Sequence, residues 1–135
     1  MRLQPFVKSA ALLLAPACLL LGADAHAAGV AAAPQGLAAA FGNTVKALYP
    51  DGRYQRIWFH ADGSWEAFGR RGKWSSGKWT KKDEKVCLRQ SRPFPAPFRY
   101  CTEFPSTGGI GAVWTSHDMA GEPIRLTVVR GIEKP

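Results

Sequence analysis

The chain is poor in the residues on which most active-site chemistry depends. Its 135 residues include three cysteines, three histidines and ten acidic side chains against eighteen basic ones. No Cys-x-x-Cys pair is present, which argues against a dithiol redox centre. No glycine-rich phosphate loop is present, which argues against a nucleotide site of that kind. No long stretch carries a helical period, which argues against a helical fold. The one extended apolar run, Ala10 to Leu21, is too short to span a bilayer as a stable anchor.

That run has a different reading. Arg2 and Lys8 precede it as a short positive region, and Gly22-Ala23-Asp24-Ala25-His26-Ala27 follows it with two overlapping small-x-small patterns. Residues 1–27 therefore read as a cleaved export signal, cut after Ala27 or, nearly as well, after Ala25. A lipid-attachment box at Cys18 fits poorly, because the apolar run continues through Leu19-Leu20-Leu21. Cleavage removes Arg2, Lys8 and Asp24 and leaves 108 residues with 16 basic and 9 acidic side chains, a net charge of +7. The expected location is the periplasm or the exterior, with no transmembrane segment after cleavage.

Residues 28–41 are alanine-rich and read as a flexible leader or as a short helix from Pro34 to Phe41 covering one end of the fold. From residue 42 to 135 the pattern is β. Strands are expected at 44–49, 53–60, 65–69, 77–81, 85–90, 98–104, 112–116 and 124–130. Between them stand turn residues such as Pro50-Asp51-Gly52 and Asp62-Gly63. Short strands at this spacing predict an all-β antiparallel meander. It must manage its two edges, and closing removes them. The expectation is a closed or nearly closed barrel of calycin type, with a five-stranded OB-like barrel as the alternative. With five tryptophans in so short a chain, a filled interior is expected.

Cys87 and Cys101 are the cysteines left after cleavage, and two cysteines in an exported domain predict a disulfide. In 85–90, Val86 and Leu88 share one face and Lys85, Cys87 and Arg89 the other. In 98–104, Phe98, Tyr100, Thr102 and Phe104 share one face and Arg99, Cys101 and Glu103 the other. Both cysteines fall on the polar side, so a direct cross-strand bridge on the outer surface is expected. That register sets Lys85 opposite Glu103, Val86 opposite Thr102, Leu88 opposite Tyr100, and Arg89 opposite Arg99.

The strongest surface signal is Arg70, Arg71, Lys73, Lys78, Lys81 and Lys82 interleaved with Trp74 and Trp79. Cations supply charge and rings stack on sugars or apolar groups, so this stretch suits an anionic or amphipathic ligand. An envelope glycan or lipid fits an exported protein better than nucleic acid does. The bland alternative is a solvated basic edge with its tryptophans in the core, and Trp79 reads as an interior residue. A second candidate is the stiff loop 91–97, where Arg92 and Phe94 stand among three prolines and suit docking to an envelope protein or use as an inhibitor. Phe94 as a lid over one barrel end is the alternative there.

Catalysis has little support. Ser116-His117-Asp118 has the residue types of a hydrolase relay, but neighbours in a strand point to opposite faces. His60 with Asp62 and His117 with Asp118 make a metal set only if their loops meet. No catalytic residue, metal site or cofactor is expected.

Gly42-Asn43-Thr44, Tyr49-Pro50-Asp51-Gly52, Asp62-Gly63, Ser76-Gly77-Lys78-Trp79 and Val86-Cys87-Leu88 form an ordered set. It resembles small exported β-barrel proteins of sphingomonad-type Alphaproteobacteria that carry no assigned function. The resemblance spans roughly residues 42 to 131 and implies compartment and fold, with no catalytic residues to carry over. A looser likeness to small exported barrels that inhibit proteases rests on the tryptophan-bearing strand and the disulfide. The inhibitory N-terminal segment of those proteins has no match here. The combined expectation is a non-enzymatic envelope binding protein.

Overall fold

Apolar residues at every second position, punctuated by Asx turns, build eight strands. The computed structural model describes residues 32–135, so the export signal read at 1–27, with Cys18, lies outside the described residues. The strands are β1 (Thr44–Leu48), β2 (Tyr54–Phe59), β3 (Ser64–Phe68), β4 (Trp74–Lys82), β5 (Lys85–Arg92), β6 (Tyr100–Glu103), β7 (Val113–His117) and β8 (Pro123–Val129). They form one antiparallel sheet in the order β6-β5-β4-β3-β2-β1-β8-β7, curled into a nearly closed barrel. A 3-10 helix at Gly36–Ala40 precedes β1, within the span read as a leader or short helix. No helix among the described residues is long and apolar enough to cross a membrane.

Three boundaries differ from the sequence pattern by two residues or more. β5 runs on to Arg92, which pairs with Ser76, so the ladder continues past residue 90 and stops only at the first proline, Pro93, which has no N–H to give. β4 begins at Trp74, because Trp74 pairs with Phe68 and the rings meet edge-to-face at 5.2 Å, extending the ladder into the expected connection. β6 begins at Tyr100, so Arg99 precedes the ladder and does not face Arg89. Arg89 lies opposite Lys78 on β4 instead. The rest of the expected register is present: Lys85 opposite Glu103, Val86 opposite Thr102, Leu88 opposite Tyr100, and a disulfide between Cys87 and Cys101. Cys87 is buried although its row points outward, while Cys101 is exposed.

The two barrel ends are unlike. One carries the 3-10 helix and the β2–β3, β4–β5 and β6–β7 connections. Leu37 and Ala40 of that helix join Phe59 and Phe104 in the buried core. Phe104 meets Phe59 edge-on at 5.9 Å and Trp114 at 4.8 Å, and Phe41 lies 5.9 Å from Trp79. Gly36 holds the helix in place. Its φ is +59°, its N–H donates to the Gly108 carbonyl at 2.8 Å, and a Cβ would sit 3.0 Å from the Ser106 carbonyl oxygen. This end is plugged. The other end carries the β1–β2, β3–β4, β5–β6 and β7–β8 connections and has no such plug among the described residues.

The outer face of β1 and β2 is covered by the C-terminal tail. Thr44 Oγ1 donates to the Gly131 carbonyl at 2.8 Å and accepts from the Glu133 amide at 2.8 Å and from Trp58 Nε1 at 3.1 Å. One hydroxyl thus uses its donor and both acceptor positions, which is why Thr44 is fully buried on an outward row. Glu133 continues the clamp as an ion pair with Lys46 at 3.1 Å.

Candidate functional site

Two small residues on inward rows, Ala47 on β1 and Ser75 on β4, stand in the interior wall where larger side chains would fill the barrel. The result is a cavity of about 300 Å³ inside the half opposite the helix. Its walls are mainly apolar, with Ile57, Phe59, Trp65, Leu88, Phe104 and Leu126 among them. The filled interior expected from the tryptophan count is not what forms. Only Trp65 lines the cavity, Trp79 and Trp114 pack in the plugged half, and Trp58 and Trp74 stack on each other outside, 5.6 Å apart.

Polar groups gather toward the open end. Tyr49, Gln55, Ser75, Gln90, Tyr100 and Asp118 line the cavity there, with Ala96, Phe98 and Met119 beside them. Phe98 and Met119 come from the β5–β6 and β7–β8 connections and are 51% and 65% exposed, which gives the mouth an apolar rim. Tyr49 Oη donates to Gln55 Oε1 at 2.9 Å, and Tyr100 Oη donates to the His117 carbonyl. Burial raises the pKa of both phenols above the ordinary tyrosine value, and the Asp118 carboxylate adds to the rise in each. Asp118 Oδ1 accepts the amides of Ala120 at 2.9 Å and Glu122 at 2.8 Å, fixing the β7–β8 turn.

One wall of the cavity is a seam. No backbone ladder joins β6 to β7. Side chains close the gap: Thr102 Oγ1 and Ser116 Oγ are 2.6 Å apart, and Ser116 Oγ donates to Glu103 Oε2 at 2.7 Å. Trp114 Nε1 donates to the Glu103 carbonyl at 3.0 Å. The Ser116 hydrogen bond, with a backbone hydrogen bond and the Lys85 charge, holds the Glu103 carboxyl below its ordinary pKa. A lowered folded pKa means stability that is complete above the unfolded value and lost as pH falls through the folded one. Below about pH 4.3, the ordinary glutamate value, the melting temperature is therefore expected to fall, and Glu103→Gln is expected to shallow that decline. Asp51 and Asp62 are shifted the same way by hydrogen bonds from Arg53 and Ser64, so part of the decline remains in the variant. Identical pH profiles for the two proteins, by thermal melts, would remove Glu103 from the seam's pH response.

The basic residues singled out in the sequence do not converge on one place. Arg70 lies 3.9 Å over the Tyr49 ring at the open end, held by Asp51 at 3.0 Å and Glu122 at 2.8 Å. Arg71 and Lys73 are exposed in the β3–β4 turn at that same end. Lys81 and Lys82 stand at the far end of β4, about 26 Å away at 3.3 Å per residue for a nine-residue strand. Trp74 is 55% exposed on the outer face. Lys78 lies midway, opposite Arg89, while Lys82 lies opposite Lys85 and Arg92 opposite Ser76. Lys78 and Lys82 of β4 and Arg92 of β5 make a basic ribbon along the outside of the two strands, to which Lys85 and Arg89 add charges beyond the candidates named in the sequence; Lys81, opposite the core residue Val86, belongs to the other row. Lys78 and Arg92 share an outer groove with His60, Asp62 and Glu66, where His60 Nε2 is 3.3 Å from Glu66 Oε2.

The remaining candidates are dispersed. Phe94 is 76% exposed in the 91–97 loop, and its carbonyl accepts Gln90 Nε2 at 2.9 Å. His60 follows β2 at the plugged end and His117 closes β7 at the open end, so the two histidine loops do not meet. Ser116 is buried in the seam while His117 is exposed. The polar residues at the mouth were missed in the sequence. The usable signal was the small side chains at the inward positions Ala47 and Ser75, which leave interior space unfilled.

The fold and the site together define a class: a nearly closed eight-stranded antiparallel barrel with one cystine and an apolar cavity opening at one end. No family model matches this chain, and no curated protein or solved structure matches it either.

Proposed function

We propose that this protein is an exported, non-enzymatic binding protein of the cell envelope that holds a small amphipathic ligand inside its barrel. The observation that carries the reading is the cavity of about 300 Å³, apolar in its walls and polar toward its mouth. A concave, mainly apolar pocket with a few polar groups toward one end is the common form of a small-molecule site. The apolar rim of Phe98 and Met119 suits entry of an apolar body. The reading of residues 1–27 as an export signal, with the resemblance to exported barrels, supports the compartment.

The test is a titration of the protein with 1-hexanol, 1-octanol and 1-decanol, followed by tryptophan fluorescence and calorimetry. Trp65 lines the cavity and reports on filling. Each added methylene is expected to tighten binding about fourfold, from about 0.8 kcal/mol per buried CH₂, until the cavity is full. Ala47→Leu, which puts extra volume into the cavity, is expected to weaken the longest alcohol most. No saturable binding, or affinity independent of chain length, would overturn the reading.

The outer ribbon favours a second, compatible reading, in which the protein also rests on an anionic glycan or lipid surface. Like charges directly opposite one another on adjacent strands are destabilising. The ladder nonetheless sets Lys78 against Arg89 and Lys82 against Lys85. A polyanion over the ribbon relieves both pairs. Salt-sensitive retention on anionic vesicles, abolished by Lys78→Glu with Arg89→Glu, is the expected result, and retention that ignores the charge reversal would sink it. The protein-docking reading of the 91–97 loop keeps one support, the exposure of Phe94.

A further inference from the structure

We infer that the molecule held in the barrel carries a cationic, hydrogen-donating head, a protonated amine on an apolar body, seated at the mouth against Asp118, Tyr49 and Tyr100. This rests on the cavity being the ligand site.

The inference follows from which hydrogen-bonding capacities the mouth has left. A tyrosine hydroxyl has one proton and can also accept. Tyr49 has given its proton to Gln55 Oε1 at 2.9 Å, and Tyr100 has given its own to the His117 carbonyl. Both oxygens therefore offer only acceptor lone pairs to a guest. Gln90 has directed its Nε2 to the Phe94 carbonyl at 2.9 Å, which leaves its Oε1 as another acceptor. Among the described residues, Asp118 is the one charged residue lining the cavity. Its Oδ1 is occupied by the Ala120 and Glu122 amides at 2.9 and 2.8 Å, and no described residue donates to its Oδ2. Against these acceptors stand the Gln55 amide nitrogen, the second N–H of Gln90 Nε2 and the Ser75 hydroxyl as the available donors. The balance favours a guest that donates.

Charge points the same way. The protein is strongly basic, with 18 Lys and Arg against 10 Asp and Glu, yet no Lys or Arg among the described residues lines the cavity. The Arg70 guanidinium, which lies 3.9 Å over the Tyr49 ring and is not among the lining residues, is matched by Asp51 and Glu122. Asp118 contributes to the raised pKa of both tyrosines, so its field reaches each phenol. An ammonium between the carboxylate and two phenol oxygens gains from every one of them, in a site whose apolar walls keep the local dielectric low. A carboxylate or phosphate head entering the same place meets like charge and finds few donors.

The test compares octylamine, 1-octanol and octanoate, which share one chain and differ in the head, by calorimetry at neutral pH and low salt. Octylamine is expected to bind at least tenfold tighter than 1-octanol, and octanoate more weakly than either. Added salt should weaken the amine and not the alcohol, and this comparison needs only the wild-type protein. Asp118→Asn, which keeps an oxygen for the turn amides, is expected to collapse the amine-to-alcohol ratio toward one. Octanoate binding as tightly as octylamine overturns the inference and moves the head to the exposed Arg71, Lys73, Arg92 and Arg99. An amine-to-alcohol ratio untouched by Asp118→Asn overturns the role of the carboxylate. Failure of all three compounds to bind removes the cavity reading itself.

Discussion

Replacing Cys87 by Ser is expected to lower the melting temperature by roughly 12–24 °C. The bridge joins residues 14 apart in sequence, and the loop entropy removed from the unfolded chain by such a crosslink is worth about 3 kcal/mol. For a domain of this size each kcal/mol moves the melting temperature by roughly 4–8 °C. The position adds to the effect. β6 has one ladder, to β5, and its other side is the side-chain seam with β7. Without the disulfide, four strand residues and a few side-chain hydrogen bonds must hold an edge of the barrel wall. Tyr100, Thr102 and Phe104 would then order the cavity less well, so the affinity for 1-octanol should fall along with stability. Thermal melts of Cys87→Ser and of the Cys87→Ser, Cys101→Ser double variant provide the check. Melting within about 3 °C of the non-reduced parent would mean that the ladder and seam suffice.

Gly77→Ala is expected to destabilise by more than about 3 kcal/mol, beyond the usual range for one added methyl in a core. A Cβ at Gly77 would lie 1.9 Å from the Arg89 carbonyl oxygen and 2.9 Å from the Gln90 Cα. Those are backbone atoms of β5, so no side chain can swing aside. The cause is a bulge: Ser76 pairs with Arg92 and Gly77 with Gln90, which leaves Ser91 as the extra residue on β5. The bulge presses β5 against β4 at this point and turns the chain into the 91–97 loop at the mouth. Alanine must part the two strands or remove the bulge. Circular dichroism melts of Gly77→Ala beside Gly121→Ala separate this from a glycine effect as such. Gly121 has a φ of +80° but open space around its Cβ position, so it reports the backbone term alone. Equal losses at the two positions would refute a specific clash at Gly77.

Much of the architecture was readable from local pattern. Asp51-Gly52 and Asp62-Gly63 make turns where their dipeptides indicate, with Asp51 Oδ1 accepting the Arg53 amide and Asp62 Oδ1 the Ser64 amide, at 2.9 and 2.8 Å. The alternation around Cys87 and Cys101 carried the β5–β6 register, because a slip of one residue would turn every side chain to the wrong face. The tryptophans misled. Their count suggested filling, but two of the five, Trp58 and Trp74, stack on the outside, and composition does not say on which side of the wall a ring stands. The basic stretch misled in a similar way. Its residues are close in sequence, yet an extended strand carries neighbours apart at about 3.3 Å per residue and alternates their direction.

By itself, then, the sequence determined the elements, the turns between them, the cystine and the pairing around it. These follow from periodicity and short-range hydrogen bonding, which act over a few residues. Tertiary structure alone decided that the barrel is plugged at one end and hollow at the other, that β6 and β7 meet through Thr102, Ser116 and Glu103, and that Arg70 is held by Asp51 and Glu122. It also brought Tyr49, Tyr100 and Asp118 to one mouth from strands and a turn far apart in the chain. The physical reason is closure. Which inward side chains face one another across a barrel depends on how far the sheet curls and how the strands stagger, a property of all eight strands at once.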